Sequence, residues 1–206
     1  MGAMQTRRLH LVRHGDTVGE SSVRYHGSND VPLSDTGRAQ VASLVPLLQG
    51  VAPVAVVHSP LVRAVESAAI LGRGCGWDAE RFESFDSFRE IHFGACEGMT
   101  AAEIAAAHPE FWAAHQRGEA SGFPGGEPLE RFAQRVAEGF HELLERHPRG
   151  DLVVVAHRGI VRWGLRTLLQ DPALDHGVRL ASLTVLRHGP RWDLEHLDLA
   201  PHAGAS

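Results

Sequence analysis

Short apolar runs alternate along the chain with segments in which apolar residues recur every three or four positions. The runs within Arg8–His14, Val54–His58 and Leu152–Ala156 predict buried strands, because continuous valine- and leucine-rich runs of this length are typical of strands covered on both faces. The periodic segments, such as Leu129 to Leu144, predict amphipathic helices. We therefore expect an α/β protein with a mostly parallel central sheet.

Three further strands are predicted, at Phe82–Phe88, Leu180–Arg187 and Arg191–Leu197. The break at His188-Gly189-Pro190 suits a hairpin, so the last two strands are expected to form one antiparallel edge. Helices on both faces of such a sheet give a three-layer α/β/α sandwich.

The whole chain, residues 1–206, is predicted to be a single domain. The segment from about 97 to 126 contains two short predicted helices and a glycine-rich loop, which indicates a small helical cap inserted into the domain. Residues 200–206 are expected to be a disordered tail.

Histidine and arginine side chains follow two of the predicted strands. Arg13 and His14 end the first apolar run, and His157 and Arg158 follow Leu152–Ala156. Because parallel strands present their carboxyl ends at one edge of a sheet, we expect these side chains to share one site. A forked cation and an imidazole nitrogen suit a compact dianion such as phosphate.

Two other residues fit the same chemistry. Arg63 lies in SPLVRA, near the start of a predicted helix whose free N–H groups also favour an anion. Glu90 lies in FREIHFGACEG, where its apolar neighbours keep it partly dry and suit it to act as an acid. Other carboxylates stand close to it in sequence, and spacing alone does not choose between them: Glu83, Asp86, Glu97 and Glu127.

Composition excludes several classes of partner. Twenty Lys and Arg against 25 Asp and Glu give a net charge of −5, and no basic run is present, so nucleic acid is not expected as a partner. The apolar runs are too short to span a membrane, and MGAMQTRR has no signal-peptide core, so we expect no membrane partner and a cytoplasmic location. Cys75 and Cys96 are expected to be free thiols. Fourteen histidines show no metal-ligand spacing, so no metal and no other cofactor is expected.

Six blocks of the chain together resemble the histidine phosphatase superfamily, the phosphoglycerate mutase-like group. In chain order they are LVRHGDT, GSNDVPLSDTGRAQ, SPLVRA, FREIHFGACEG, PGGEP and VVVAHRGIVR. The FREIHFGACEGMT block and the short cap are similar to those of α-ribazole phosphatases and of broad-specificity members of the phosphatase branch.

The resemblance implies a mechanism as well as a fold. It implies that His14 becomes phosphorylated, that Glu90 acts first as proton donor and then as base, and that a backbone carbonyl holds the other ring nitrogen of His14. It also implies a set of residues around the phosphate: Arg13, Arg63, His157, His26 and Gly27. We therefore expect a metal-independent phosphomonoesterase acting on a small phosphorylated metabolite.

The chain departs from the family's pattern at two places near this site. Gly19-Glu20 stands where many relatives carry Trp-Asn, so Glu20 either points away or selects against a second anionic group. The usual His-Gly-Gly is His157-Arg158-Gly159, and Arg158 either adds a cation to the pocket or points to solvent, of which we expect the second.

Alternatives stay open at this point. The same pocket would serve a phosphoglycerate mutase or a non-catalytic phosphate-binding relative. The cap aromatics Phe111, Trp112 and Phe123 fit a substrate wall and a cap core equally well. An exposed strand edge near the C-terminus would allow a homodimer.

Overall fold

The computed structural model describes residues 7–20, 22–171, 174 and 177–204. Within these residues six strands form one sheet, in the spatial order β3-β2-β4-β1-β5-β6. The strands are β1 (Arg7–Arg13), β2 (Ala55–His58), β3 (Phe82–Ser84), β4 (Leu152–Ala156), β5 (Leu183–His188) and β6 (Trp192–Leu199).

The sheet is parallel over four strands and antiparallel at one edge. Strands β3, β2, β4 and β1 run parallel, whereas β5 pairs antiparallel with both β1 and β6. The register places Arg13 beside Ala156, so β1 and β4 end next to each other. The predicted mostly parallel sheet with an antiparallel hairpin edge is confirmed.

Helices cover both faces, and the buried strands alternate between two cores. Leu9, Leu11 and Val154 face α6 (Leu129–Arg146) and α7 (Arg158–Leu169). Val12 and Val155 face the other layer, which is formed by three helices: α1 (Asp35–Ala42), α2 (Val45–Leu48) and α3 (Val62–Cys75). Since both faces are apolar, the central strands need the continuous apolar runs that the sequence shows.

The segment between β3 and α6 carries two short helices, α4 (Ala101–Ala107) and α5 (Pro109–Gln116). Thr100 caps α4 through a reciprocal pair of hydrogen bonds with Glu103. Phe111, Trp112 and Phe123 pack with Ile104 in a small separate core, so these aromatics belong to the interior of the cap.

The structure corrects one predicted strand and one predicted helix. The strand predicted at Phe82–Phe88 ends at Ser84 and becomes a 3₁₀ turn at Asp86–Phe88, because Phe85 and Phe88, three residues apart, both turn into the core. Val41, Leu44, Val45 and Leu48 recur at helical spacing after Ser34 and predict one helix. The structure interrupts it between α1 and α2, where the Ser43 hydroxyl donates to the Gln40 carbonyl.

The predicted tail is ordered in its first part. Pro201–Gly204 form a 3₁₀ turn, which the hydrogen bond from the Ala203 N–H to the Ala200 carbonyl closes. Disorder at residues 201–204 was therefore a wrong prediction. Residues 205 and 206 lie outside the described part of the chain.

Among the helices of the described residues, none combines the length and the apolar character needed to cross a bilayer.

A buried histidine away from the reactive edge makes stability depend on pH. His10 is 5% exposed, and within the described residues neither ring nitrogen has a hydrogen-bond partner. Burial lowers the pKa of His10 below its ordinary value. Because the folded pKa lies below the unfolded value of about 6.5, its contribution to stability is complete above that pH and is lost as the pH falls.

The substitution His10→Leu removes this proton linkage. We expect the free energy of unfolding, measured with urea, to fall less in His10→Leu than in the natural chain between about pH 7.5 and about pH 5.5. His141→Leu, at an exposed position of α6, is the matched control and should retain the natural slope. Equal slopes in all three proteins would contradict the assignment of His10 as an acid-sensitive group.

Candidate active site

The carboxyl ends of the parallel strands bring the predicted residues together. His14 follows β1 and His157 follows β4, and the two ring centroids lie 5.1 Å apart. The backbone N–H of His14 also donates to the Ala156 carbonyl at 3.0 Å, which fixes the end of β1 against the end of β4. Residues separated by more than 140 positions in sequence therefore share one small site.

One backbone contact fixes which nitrogen of His14 carries the proton. Nδ1 of His14 lies 2.7 Å from the Gly15 carbonyl oxygen, and since a carbonyl only accepts, Nδ1 is the donor. Nε2 therefore holds the free lone pair, as the resemblance implies. A β-carbon on Gly15 would lie 2.3 Å from the Gly37 carbonyl oxygen, so this turn requires glycine.

His14 and His157 are both held neutral. Burial, and then the charges of Arg63 and Arg13, hold the pKa of His14 well below its ordinary value. Burial and Arg63 also hold the pKa of His157 well below its usual range. A neutral imidazole is the form that can attack an electrophile.

His157 is anchored on the side away from its free nitrogen. Its Nε2 lies 2.7 Å from the Ser59 hydroxyl oxygen, and that oxygen also accepts the Leu61 N–H at 3.3 Å. Within the described residues Nδ1 is buried and has no partner. His157 thus has one nitrogen available to a ligand in the site.

Arg63 is buried beside these histidines, at 0% exposure. Its terminal nitrogens donate to the carbonyls of His26, Gly27 and Asn29 at 2.8 to 3.0 Å. Nε has no partner within the described residues. Burial lowers the pKa of Arg63, although Glu90 opposes this shift. Arg63 therefore brings a buried cation to the site while also binding the 26–29 loop.

Sequence reasoning missed the residue that holds that loop. The Glu97 carboxylate accepts the backbone N–H groups of Gly27, Ser28, Asn29 and Phe93 at 2.8 to 3.3 Å, and also the Ser28 hydroxyl. Burial alone raises the pKa of Glu97, but these hydrogen bonds outweigh it and lower the pKa. Its place in FREIHFGACEG was the available signal.

Glu90 enters the site from the segment after β3 and is 9% exposed. Its carboxylate accepts the Ile91 N–H at 3.1 Å and the Gly159 N–H at 3.0 Å. The second contact ties Glu90 to the start of α7, two residues after His157. Glu90 therefore stands out from the other nearby carboxylates by position.

A second missed residue, Arg135 on α6, fixes the segment that carries Glu90. Its guanidinium donates to the carbonyls of Ser87, Arg89 and Glu90 at 2.8 to 3.2 Å and pairs with the Glu127 carboxylate. No sequence pattern indicates this role, since a lone arginine on an amphipathic helix is ordinarily a surface residue.

A cavity of about 710 Å³ opens on the reactive groups. Its lining includes Arg13, His14, His26 and Glu90, with Tyr25 and Phe93 beside them. The proposed nucleophile and the proposed acid therefore face one shared space. Burial, and next the charge of Arg158, lower the pKa of Arg13 to about 10.

The two remaining predicted binding residues are placed differently. His26 lines the cavity, but its Nε2 hydrogen-bonds the Gly19 carbonyl, which leaves Nδ1 for other contacts. The Gly27 N–H is bound by Glu97 and the Gly27 carbonyl by Arg63. Gly27 thus contributes to the support of Arg63.

The two departures from the family's pattern are also placed by the structure. Glu20 is exposed and pairs with Arg24 at 3.4 Å, so it points away from the cavity. Arg158 is exposed but lines the cavity, which corrects the expectation that it faces only solvent.

In the described part of the chain no group of three or more His, Cys, Asp or Glu residues is placed to hold a metal ion.

The fold and the site together define an α/β protein whose cationic cavity presents a neutral histidine nitrogen. The sequence profile of the histidine phosphatase superfamily (branch 1) matches residues 9–198. The chain belongs to this family.

Named relatives agree with this assignment. A glucosyl-3-phosphoglycerate phosphatase of Mycolicibacterium vanbaalenii is 35% identical over 167 residues, which cover 77% of this chain and 72% of that protein. The structure of a mycobacterial glucosyl-3-phosphoglycerate phosphatase superposes with a TM-score of 0.81 at 30% identity, covering 95% of this chain and all of that chain. The α-ribazole phosphatase of Shigella flexneri shares the fold, with a TM-score of 0.80 at 24% identity over 93% and 96% of the two chains.

The anchoring role of Glu97 predicts a loss of stability when one of its oxygens is replaced. In Glu97→Gln an amide NH₂ faces backbone N–H groups and cannot accept hydrogen bonds from them. We therefore expect the free energy of unfolding to fall by about 1–3 kcal/mol. Urea unfolding measures the change. Glu110→Gln, at an exposed position of α5, is the matched control and should change stability very little. A change in Glu97→Gln no larger than in the control would show that the loop does not depend on this carboxylate.

Proposed function

We propose that this chain is a phosphomonoesterase that hydrolyses a small phosphorylated metabolite through a phosphohistidine on His14. The observation that carries the proposal is the pairing of a fixed tautomer with a shared cavity. The Gly15 carbonyl holds Nδ1–H of His14, so Nε2 is the nucleophilic atom, and Glu90 lines the same space. The matching family and the phosphatases among its relatives support this function.

In the first step, Nε2 of His14 attacks phosphorus and the bond from phosphorus to the ester oxygen breaks. Glu90, in its protonated form, gives its proton to the departing oxygen, which leaves as an alcohol. The phosphorylated imidazole gains positive charge, and the bond from Nδ1–H to the Gly15 carbonyl stabilises that charge.

In the second step, the Glu90 carboxylate takes a proton from a water molecule as that water attacks phosphorus. The bond from phosphorus to Nε2 breaks, inorganic phosphate leaves, and His14 returns to its neutral form with the proton still on Nδ1. Glu90 ends the cycle protonated and ready for the next substrate.

Two arginines and a neutral histidine act on the phosphoryl oxygens throughout. Arg13, Arg63 and His157 lie close enough to His14 to interact with it, and their fixed positions stabilise the charge of the transferring group without reorganisation. His26 is assigned a contact with the substrate at the cavity wall. We assign Gly27 a supporting role, because both of its backbone groups are bound.

The cavity volume, about 710 Å³, suits a metabolite. Metal-independent action and a cytoplasmic location are part of this proposal, and pairing of two chains through the edge strand β6 stays a prediction.

Trapping the covalent intermediate tests the nucleophile. After acid-free quenching of a reaction with radiolabelled aryl phosphate, we expect label on histidine in the natural chain and none in His14→Ala. His141→Ala, at an exposed position, is the control and should label like the natural chain. Label on histidine in His14→Ala would show that another residue is the nucleophile. Interconversion of phosphoglycerates without release of phosphate would identify a mutase instead.

The roles of Glu90 predict a second result in the same assay. An aryl ester leaves readily without a proton, whereas attack by water still needs a base. Glu90→Gln should therefore accumulate more labelled phosphohistidine than the natural chain while releasing phosphate about 100-fold more slowly. Unchanged labelling together with unchanged phosphate release would assign the acid and base roles to another group.

Gly159 offers an independent test of where the Glu90 carboxylate must lie. A β-carbon at Gly159 would lie 2.3 Å from Oε1 of Glu90, so Gly159→Ala must displace this carboxylate. We expect hydrolysis of an alkyl phosphate to fall about 100-fold, and hydrolysis of p-nitrophenyl phosphate to fall less. Gly189→Ala, in the open turn between β5 and β6, is the control and should retain both rates. Equal losses on the two esters would contradict proton donation by Glu90.

A further inference from the structure

The arginines that line the cavity differ in whether the protein binds their side chains. Among the described residues that line it, four are arginines and one, Glu90, is a carboxylate. Three of the arginines are bound to acceptors of the protein: Arg13 to the Val178 carbonyl, Arg24 to Glu103 and the Gly98 carbonyl, and Arg179 to Asp198. Within the described residues the Arg158 side chain has no hydrogen bond or ion pair. The cavity therefore presents one free guanidinium.

Arg158 occupies a position that is electrostatically unfavourable in the absence of an anion. It is the first residue of the 12-residue helix α7, where the helix dipole is positive and a cation is disfavoured. It also lies close enough to Arg13 for their charges to repel. A bound anion would relieve both repulsions.

The position of Arg158 also limits where that anion lies. Its neighbours in sequence are His157, whose ring contacts His14, and Gly159, whose N–H binds Glu90. Arg158 also lines the same cavity as His14 and Glu90, so its guanidinium shares the space that a second group of the substrate would occupy. Glu20, the acidic departure from the family's pattern, does not oppose an anion there, because it does not line the cavity and its carboxylate pairs with Arg24.

We propose that Arg158 determines specificity by binding a second anionic group of the substrate, so that the preferred substrates are phosphomonoesters that carry a carboxylate or a second phosphate. The inference deepens the proposed function and rests on it, since the ester phosphate is taken to lie against His14. A planar guanidinium binds either anion through two parallel hydrogen bonds.

Matched pairs of esters test the proposal. 3-Phosphoglycerate differs from glycerol 3-phosphate by a carboxylate in place of a hydroxymethyl group, and propane-1,3-diol bisphosphate differs from the monophosphate by a second phosphate. The ratio of kcat/KM for the two esters of each pair is measured in the natural chain, in Arg158→Gln and in Arg158→Lys. We expect Arg158→Gln to lower the ratio for the recognised anion about tenfold, mainly through KM, and Arg158→Lys to retain part of it. The pair whose ratio falls identifies the anion.

The control is Arg149→Gln, which removes the same charge from the exposed turn before β4 and should leave both ratios unchanged. Ratios that stay unchanged in Arg158→Gln, while the esters are still hydrolysed, overturn the inference and leave the proposed function intact. Binding of 3-phosphoglycerate and of glycerol 3-phosphate, measured by calorimetry, shows whether the proposed function fails while the anion site remains. If no ester is hydrolysed but Arg158→Gln still weakens binding of 3-phosphoglycerate selectively, the proposed function fails and the anion site stands.

Discussion

The hydrogen bond from Nδ1–H of His14 to the Gly15 carbonyl is the interaction on which the rest of the site depends. It decides which ring nitrogen is free, and without it the surrounding cations would face an imidazole of undefined orientation. The bond requires the chain to turn sharply after β1, and that turn packs directly against Gly37 at the start of α1. The reactivity of one nitrogen is thus set by close packing between a loop and a neighbouring helix.

A buried arginine beside that histidine creates a second requirement. Arg63 has no exposed surface, so its charge is retained only because three loop carbonyls accept its N–H groups. The loop, in turn, keeps its shape through the N–H groups that bind Glu97. The cap thereby supports the loop that binds Arg63, since Glu97 lies at the start of the segment that leads to α4. This chain of contacts explains how a residue that never enters the cavity influences it.

Much of the fold and of the reactive centre was predictable from the sequence, because both depend on local patterns. Apolar runs marked the strands, and in a parallel sheet His14 and His157 had to end at one edge. The supporting contacts were not predictable, because they depend on three-dimensional proximity. In the sequence Arg135 resembles any exposed helix residue, and only the structure shows its contact with the Glu90 carbonyl. The strand predicted through Phe88 ends early because Phe85 and Phe88 are both buried in the core. Arg158 required the cavity itself before its orientation could be judged.

The arginine and histidine side chains of the site differ in how firmly the protein binds them, and in the proposed function this difference separates catalysis from recognition. Arg63 and His157 are buried and anchored, as groups must be if they are to stabilise a transition state without moving. Arg158 is exposed and unanchored, so it gains order only when an anion arrives, and the interaction favours binding more than the chemical step. A rigid inner set and an adaptable outer cation allow the substrate range to change without disturbing His14.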